Sequence, residues 1–149
     1  MTLTRYTDYA LRVLLYLSLQ PDQKVSISEI ARFYQISKDH LVKVVNHLGR
    51  LGYVKTLRGR KGGILLAHDP SRIQIGRVVR ETEPHFDLVE CFNLDTNRCV
   101  VTSICNMRRM IEDAMDHFFT RLDEYTLADL VSDYPAARSL LESEPSPRT

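Results

Sequence analysis

The chain has 149 residues, 44% of them hydrophobic and 26% charged, with a net charge of +1. That is enough chain to bury one real core and too little for several domains. No run of about 18 apolar residues exists to span a membrane, and the N-terminal segment lacks the order of a secretory leader, which predicts a cytoplasmic protein.

The near-neutral total conceals a division. Residues 1–82 carry 14 Lys and Arg against 6 Asp and Glu, a net of +8, whereas residues 83–149 carry 6 against 13, a net of −7. A basic half joined to an acidic half fits a nucleic-acid-binding module with an appended part that does not bind.

In RYTDYALRVLLYL, Tyr6, Tyr9, Ala10, Val13, Leu14 and Leu17 recur at three- and four-residue spacing, which predicts a first amphipathic helix ending before Pro21-Asp22. Ser26 and Glu29 have the S-x-x-E spacing of a capping box and open a short helix with Ile30 and Phe33 inward. Ser37 is placed to cap the next helix, whose apolar stripe is Leu41, Val44, Val45, Leu48 and Leu51, closed by Gly52. That stripe leaves Lys38, Asp39, His40, Lys43, Asn46, His47 and Arg50 on or near the opposite face. Two short helices joined by a tight turn, the second with a basic polar face, fit a helix-turn-helix.

YVKTLRGRKGGILLA alternates, breaks at glycines and resumes, predicting a β-hairpin with Arg58, Arg60 and Lys61 at its tip. A cationic hairpin directly after a recognition helix is a wing, suited to backbone or minor-groove contact. Residues 1–68 therefore read as a winged helix-turn-helix. A helix through RIQIGRVVRETE, opened by Pro70-Ser71 and ended by Pro84, extends the DNA-binding domain to 1–84. The candidate DNA-contacting residues are Ser37, Lys38, Asp39, His40, Lys43, Arg58, Arg60 and Lys61.

Residues 85–105 form a loop holding every cysteine: Cys91, Cys99 and Cys105. The spacing lacks the paired C-x2-C knuckles of a zinc ribbon. Three thiolates suit iron–sulfur ligation with one further ligand, for which His85, Asp87, His117 and Asp8 are candidates; a thiol switch and zinc are the alternatives. A long helix from about Asn106 to Glu124 carries Met107, Met110, Ile111, Ala114, Met115, Phe118, Phe119 and Leu122, a stripe wide enough for a dimer seam. With a short helix restarting at Thr126-Asp129, residues 106–134 make a dimerisation element, and 143–149 a disordered tail. The fold class is mainly α with a small β-hairpin. No nucleophile triad, phosphate loop or framed carboxylate pair argues for an enzyme. An electron carrier with this loop would have no need of a basic wing beside a basic helix.

LTRYTDYALRVLLYL, VSISEIARFYQISKDHLVKVVNHLGRLGYV, RGRKGGILLA, IGRVVRETEP and the three-cysteine loop together resemble the iron–sulfur winged-helix regulators, from Leu3 to about Val131. RETEPHFDLVECF, LDEYTLADLV and the seven-residue first gap between cysteines are most similar to the nitric-oxide-sensing branch. The resemblance implies a homodimeric repressor of double-stranded operator DNA, with a cluster of the 4Fe–4S or 2Fe–2S type and nitric oxide as signal. It also implies Cys91, Cys99 and Cys105 as thiolate ligands and Asp8 as the carboxylate ligand, contributed by the first helix of the other subunit. Lys38, His40 and Lys43 fall on the implied recognition helix, and Arg58, Arg60 and Lys61 on the implied wing. The rival within the same fold senses cluster supply or redox state.

Overall fold

The computed structural model describes residues 2–21, 23–57, 59 and 62–132. The wing-tip cations Arg58, Arg60 and Lys61 and the tail 143–149 lie outside the described residues. In chain order the elements are α1 (Arg5–Ser18), α2 (Ile27–Tyr34), α3 (Lys38–Arg50), β1 (Val54–Leu57), β2 (Gly63–Leu66), α4 (Ile75–Thr82), α5 (Asn106–Asp123) and α6 (Asp129–Ser132). The mainly helical fold with one hairpin is the architecture read from the sequence.

The centre of the core is α1. Ala10, Val13, Leu14 and Leu17 are buried along one face, as their spacing predicts, and α1 packs against α3, α4, β2 and α6. Its start is fixed from a distance. Thr4 caps α1 by accepting from the Thr7 N–H, and the Glu83 carboxylate, just beyond α4, accepts from the Thr4 N–H at 3.0 Å and from the Thr4 hydroxyl at 3.0 Å. The Thr7 hydroxyl, fully buried, also donates to Glu83. One carboxylate thus satisfies donors that the helix start leaves without internal partners.

Ser26 accepts from the Glu29 N–H at 3.1 Å, the forward half of the expected capping box. The return half is replaced, because Glu29 accepts instead from the buried Tyr16 hydroxyl at 3.0 Å. Gln35 ends α2 in the left-handed conformation, φ 54°, and Ile36 is buried in the turn into α3. Ser37 precedes α3 but makes no side-chain capping hydrogen bond, so its hydroxyl is exposed and uncommitted, contrary to the capping role expected of it. Leu41, Val44, Val45 and Leu48 are buried, and Gly52 turns the chain with φ 83°, a conformation that favours glycine.

The hairpin pairs antiparallel from Val54↔Leu66 to Leu57↔Gly63. A third segment joins it through the Val25↔Ile64 bridge, and Gly63 is needed there because a Cβ would stand 3.0 Å from the Val25 carbonyl oxygen. Tyr53 ties the strand to α4 by donating to Glu81, and burial together with that bond pushes its phenol well above the usual value.

The helix expected through RIQIGRVVRETE is divided. A 3-10 turn over Pro70–Arg72 is separated from α4 by an extended Ile73. The Ile73 carbonyl accepts from Leu127 N–H at 2.8 Å, and Ile75 N–H donates to the Tyr125 carbonyl at 2.9 Å. The chain after α5 therefore returns to pair with the entrance to α4, burying Leu127 completely. Arg80 holds the same junction with a two-pronged ion pair to Asp123, at 2.6 and 2.8 Å, while its guanidinium lies 4.3 Å from the Phe119 ring centre. Before α6, Asp129 accepts from the Thr126 N–H and hydroxyl, each at 2.7 Å.

Candidate DNA interface and cysteine loop

Ser37, Lys38, Asp39 and His40 lie exposed at the start of α3, and Lys43 follows one turn on, also exposed. The buried stripe of α3 fixes this face outward, as periodicity requires. Among the described residues, Lys38, His40 and Lys43 have no carboxylate at ion-pair distance. Two lysines without a carboxylate partner, with a histidine beside them on an exposed helix face, are available to phosphates and base edges. His47 is not on that face as a free group: its ring is half-buried, 5.7 Å from Tyr6.

Asp8 is half-exposed on α1 and is engaged within its own chain. Arg12, one turn on, donates to it through Nε at 3.0 Å and lies 2.9 Å away through its second nitrogen. The same guanidinium sits 5.6 Å from the Tyr34 ring centre. Burial pushes the Tyr34 phenol up to about 12, so the ring beneath Arg12 stays neutral. Asp8 and Arg12 stand at i,i+4 spacing on α1, and α2 contributes the aromatic seat for Arg12.

The loop from Phe86 to Cys105 is irregular, with 3-10 turns at Glu90–Phe92 and Thr102–Ile104. Its three thiols are free: Cys91 is buried, Cys105 half-buried and Cys99 exposed. Side chains brace the loop locally. Asn93 accepts from Asp95 N–H, Asn97 accepts from Cys99 N–H at 3.0 Å, and Glu90 accepts from Arg98 N–H at 2.9 Å. The Cys105 sulfur accepts from Arg108 N–H at 3.4 Å and so caps α5. The Arg108 guanidinium feels both Cys91 and Cys105, although its main partner is Glu112 at 2.7 Å, whose hydrogen bond raises its pKa.

The donor set suits a soft metal centre: three free thiols on one loop, one of them also capping α5. Among the described residues, no three His, Cys, Asp or Glu side chains are arranged to hold a metal ion. The other fourth-ligand candidates also have neighbours of their own. His85 faces Asp87 at 3.9 Å, and His117 contacts the Asp113 carbonyl at 2.8 Å.

An apolar belt runs beside the thiols. Leu94, Val100, Val101 and Ile104 on the loop are exposed, as are Met107 (62%) and Met110 (72%) on α5. Further along α5 the same stripe turns inward, and Phe119 is buried edge-on against Phe86 at 4.7 Å. Sequence reading anticipated the stripe but not this division of it between interior and surface. No helix among the described residues is long and apolar enough to cross a membrane.

Comparison with known proteins agrees with this geometry. Residues 3–133 match the Rrf2 family, described as "Iron-dependent Transcriptional regulator". The chain is 52% identical over 143 residues, 95% of its length and 97% of the relative's, to the "HTH-type transcriptional regulator NsrR" of Geobacillus kaustophilus. It is 48% identical to the protein of the same name from Bacillus subtilis, covering 95% of this chain and 98% of that one. The solved structure of CymR, the global cysteine regulator of B. subtilis, superposes with a TM-score of 0.67 at 27% identity, over 89% of this chain and 97% of that chain. These relatives are named regulators of transcription rather than enzymes. A winged helix-turn-helix, a basic helix face and a family match spanning both the DNA-binding part and the cysteine loop together assign the chain to the Rrf2 family of transcriptional regulators.

Proposed function

We propose that the protein is a homodimeric repressor that binds operator DNA through α3 and the wing, and that nitric oxide relieves repression through an iron–sulfur centre. The observation that carries the reading is the cysteine loop: three free thiols within fifteen positions, one of them capping α5, in a chain whose relatives carry the name NsrR. Cys91, Cys99 and Cys105 would supply thiolates, and Asp8 of the second subunit the carboxylate. When bound, such a cluster supplies irons that react readily with nitric oxide, most readily where the ligand is a hard carboxylate rather than a thiolate.

Asp8 can serve in this way because its present partner is cheap to leave. Its ion pair with Arg12 is about two-fifths exposed on both sides, and such pairs contribute only about 0–1 kcal/mol. Ligation would draw Asp8 away from Arg12 and tie α1 of one subunit to the cysteine loop of the other. Release would return Asp8 to Arg12, which remains seated on Tyr34. α1 packs on α3, so a tie on α1 bears on the placement of the recognition helix. The exposed belt of Leu94, Val100, Ile104, Met107 and Met110 gives a second copy a surface to cover, and two-fold pairing suits a palindromic operator. A shift in half-site spacing costing about 3 kcal/mol loosens binding ~100-fold.

The test is anaerobic purification with absorbance, iron and sulfide analysis and sedimentation, followed by nitric oxide titration alongside a DNA-binding assay. An iron–sulfur spectrum lost together with tight DNA binding supports the reading, and Asp8→Ala should then lower iron retention. A colourless, iron-free dimer that binds DNA in a thiol-dependent way would establish a thiol or zinc switch instead. A cluster that responds to oxidants but not to nitric oxide would favour the redox-sensing reading of the same fold.

A further inference from the structure

A groove of about 210 Å³ lies between the first turns of α1 and the middle of α3, lined by Arg5, Tyr6, Tyr9, His40, Lys43 and Val44. Its composition is one-sided. It has two cations, a histidine and two phenols on its walls, the buried Val44 at its base, and no carboxylate. Among the described residues neither Arg5 nor Lys43 has an acidic partner; Asp8, the nearest acid along α1, is committed to Arg12. By contrast, the 260 Å³ cavity at the other side of the α1 start is lined by Glu83 and Asp87.

The groove is also rigid. The Tyr6 hydroxyl donates to the Lys43 carbonyl at 3.4 Å, and its ring packs on His47, so the start of α1 is fixed to α3 in one register. Two of the lining residues, His40 and Lys43, belong to the face of α3 proposed to enter the major groove. A duplex held by that face brings its own sugar–phosphate chain against whatever borders α3, and α1 is that border.

We infer that this groove seats a backbone phosphodiester of the operator, with the Arg5 guanidinium and Tyr9 hydroxyl of α1 donating to the phosphate alongside His40 and Lys43, so that α1 is itself part of the DNA interface. The inference rests on the DNA-binding reading above and extends it to a helix outside the helix-turn-helix. An anion explains why unpaired Arg5 and Lys43 border one cavity, and a planar guanidinium with a phenol beside it matches phosphate oxygens. Arg5, Asp8 and Tyr9 fall at i, i+3 and i+4, on one turn of α1. A tie at Asp8 would therefore act on a DNA contact within its own helical turn.

The experiment uses the full chain, purified anaerobically, and a duplex selected by the wild-type protein from a random-sequence pool. Binding is titrated against salt for wild type, Arg5→Gln, Arg5→Lys and Tyr9→Phe, with inorganic phosphate binding followed separately. Arg5→Gln should bind about tenfold more weakly near 0.1 M salt and lower the log–log salt slope by about 0.9, with base preference unchanged. Arg5→Lys should retain most of the slope, which also guards against an effect of misfolding, and Tyr9→Phe should weaken binding without changing it. A wild-type slope in Arg5→Gln overturns the seat. If that variant also loses inorganic phosphate binding, the groove is a free-anion site instead. If wild-type protein selects no duplex, the DNA reading falls and the seat with it.

Discussion

Gly76 is a point of close approach between α4 and α5. A Cβ on Gly76 would fall inside contact distance of Asp123 Oδ1 and stand 3.0 Å from both Asp123 Cγ and the Asp123 backbone nitrogen. The carboxylate can swing aside only by giving up Arg80, and the backbone nitrogen cannot move without shifting the end of α5. Overpacking of this kind costs about 1–3 kcal/mol. Loss of the Arg80–Asp123 pair, about two-fifths exposed, adds at most ~1 kcal/mol. Against this, alanine gains roughly 0.5–1 kcal/mol over glycine inside a helix. The net expectation for Gly76→Ala is a loss of about 2 kcal/mol, or about 4–8 °C in Tm for a chain of this size. Thermal and urea unfolding at one fixed protein concentration measure it, since self-association would make Tm concentration-dependent. In an Asp123→Ala background, which removes Cγ and Oδ1 but leaves the backbone nitrogen, the loss should be smaller. A Gly76→Ala protein as stable as wild type, with no coupling to position 123, would refute the close approach of α4 and α5.

Glu83→Ala removes the acceptor for the Thr4 N–H and two hydroxyls, one of them on fully buried Thr7, and should cost about 2–3 kcal/mol by urea unfolding. The two serines before helices should behave differently. Ser26→Ala should cost about 1 kcal/mol, because its hydroxyl caps Glu29, whereas Ser37→Ala should leave stability within about 0.5 kcal/mol while weakening DNA binding. Arg80 holds the Asp123 carboxyl below the usual carboxylate range by hydrogen bonding and charge. The pair's contribution is therefore complete above the ordinary aspartate pKa and is lost as pH falls through the depressed one. The Tm difference between wild type and Asp123→Asn should accordingly persist at pH 7 and shrink below about pH 4.

Periodicity made the helices and the hairpin legible, because each buries one face of a regular element. Ala10, Val13, Leu14 and Leu17, and then Leu41, Val44, Val45 and Leu48, are buried as their spacing requires. Non-local partners decided what periodicity could not. Ile73 is extended because Leu127, far along the chain, takes its carbonyl. Glu29 leaves its local cap because Tyr16 offers a hydroxyl, and Glu83 reaches Thr4 across 79 residues. At the candidate site, the outward face of α3 followed from its buried stripe, and the thiols from their clustering. The groove at Arg5 and Tyr9 is not legible in the sequence because it forms only when α1 is laid against α3, and the sequence marks each residue there merely as an exposed base or a partly buried aromatic.

The way α5 is held gives it mechanical character. Its C-terminal end is fixed to α4 by Asp123, by Phe119 and by the returning strand at Tyr125–Leu127, while Met107 and Met110 near its start project free of their own chain. Eighteen residues make an arm of about 27 Å with its fulcrum at the Arg80–Asp123 junction. A tilt of about 5° there corresponds to ~2 Å at the cysteine end, at 1.5 Å of rise per residue. A small displacement of the loop would thus reach α4 as a smaller one, and through Glu83 the first turn of α1, with no need for any element between them to unfold.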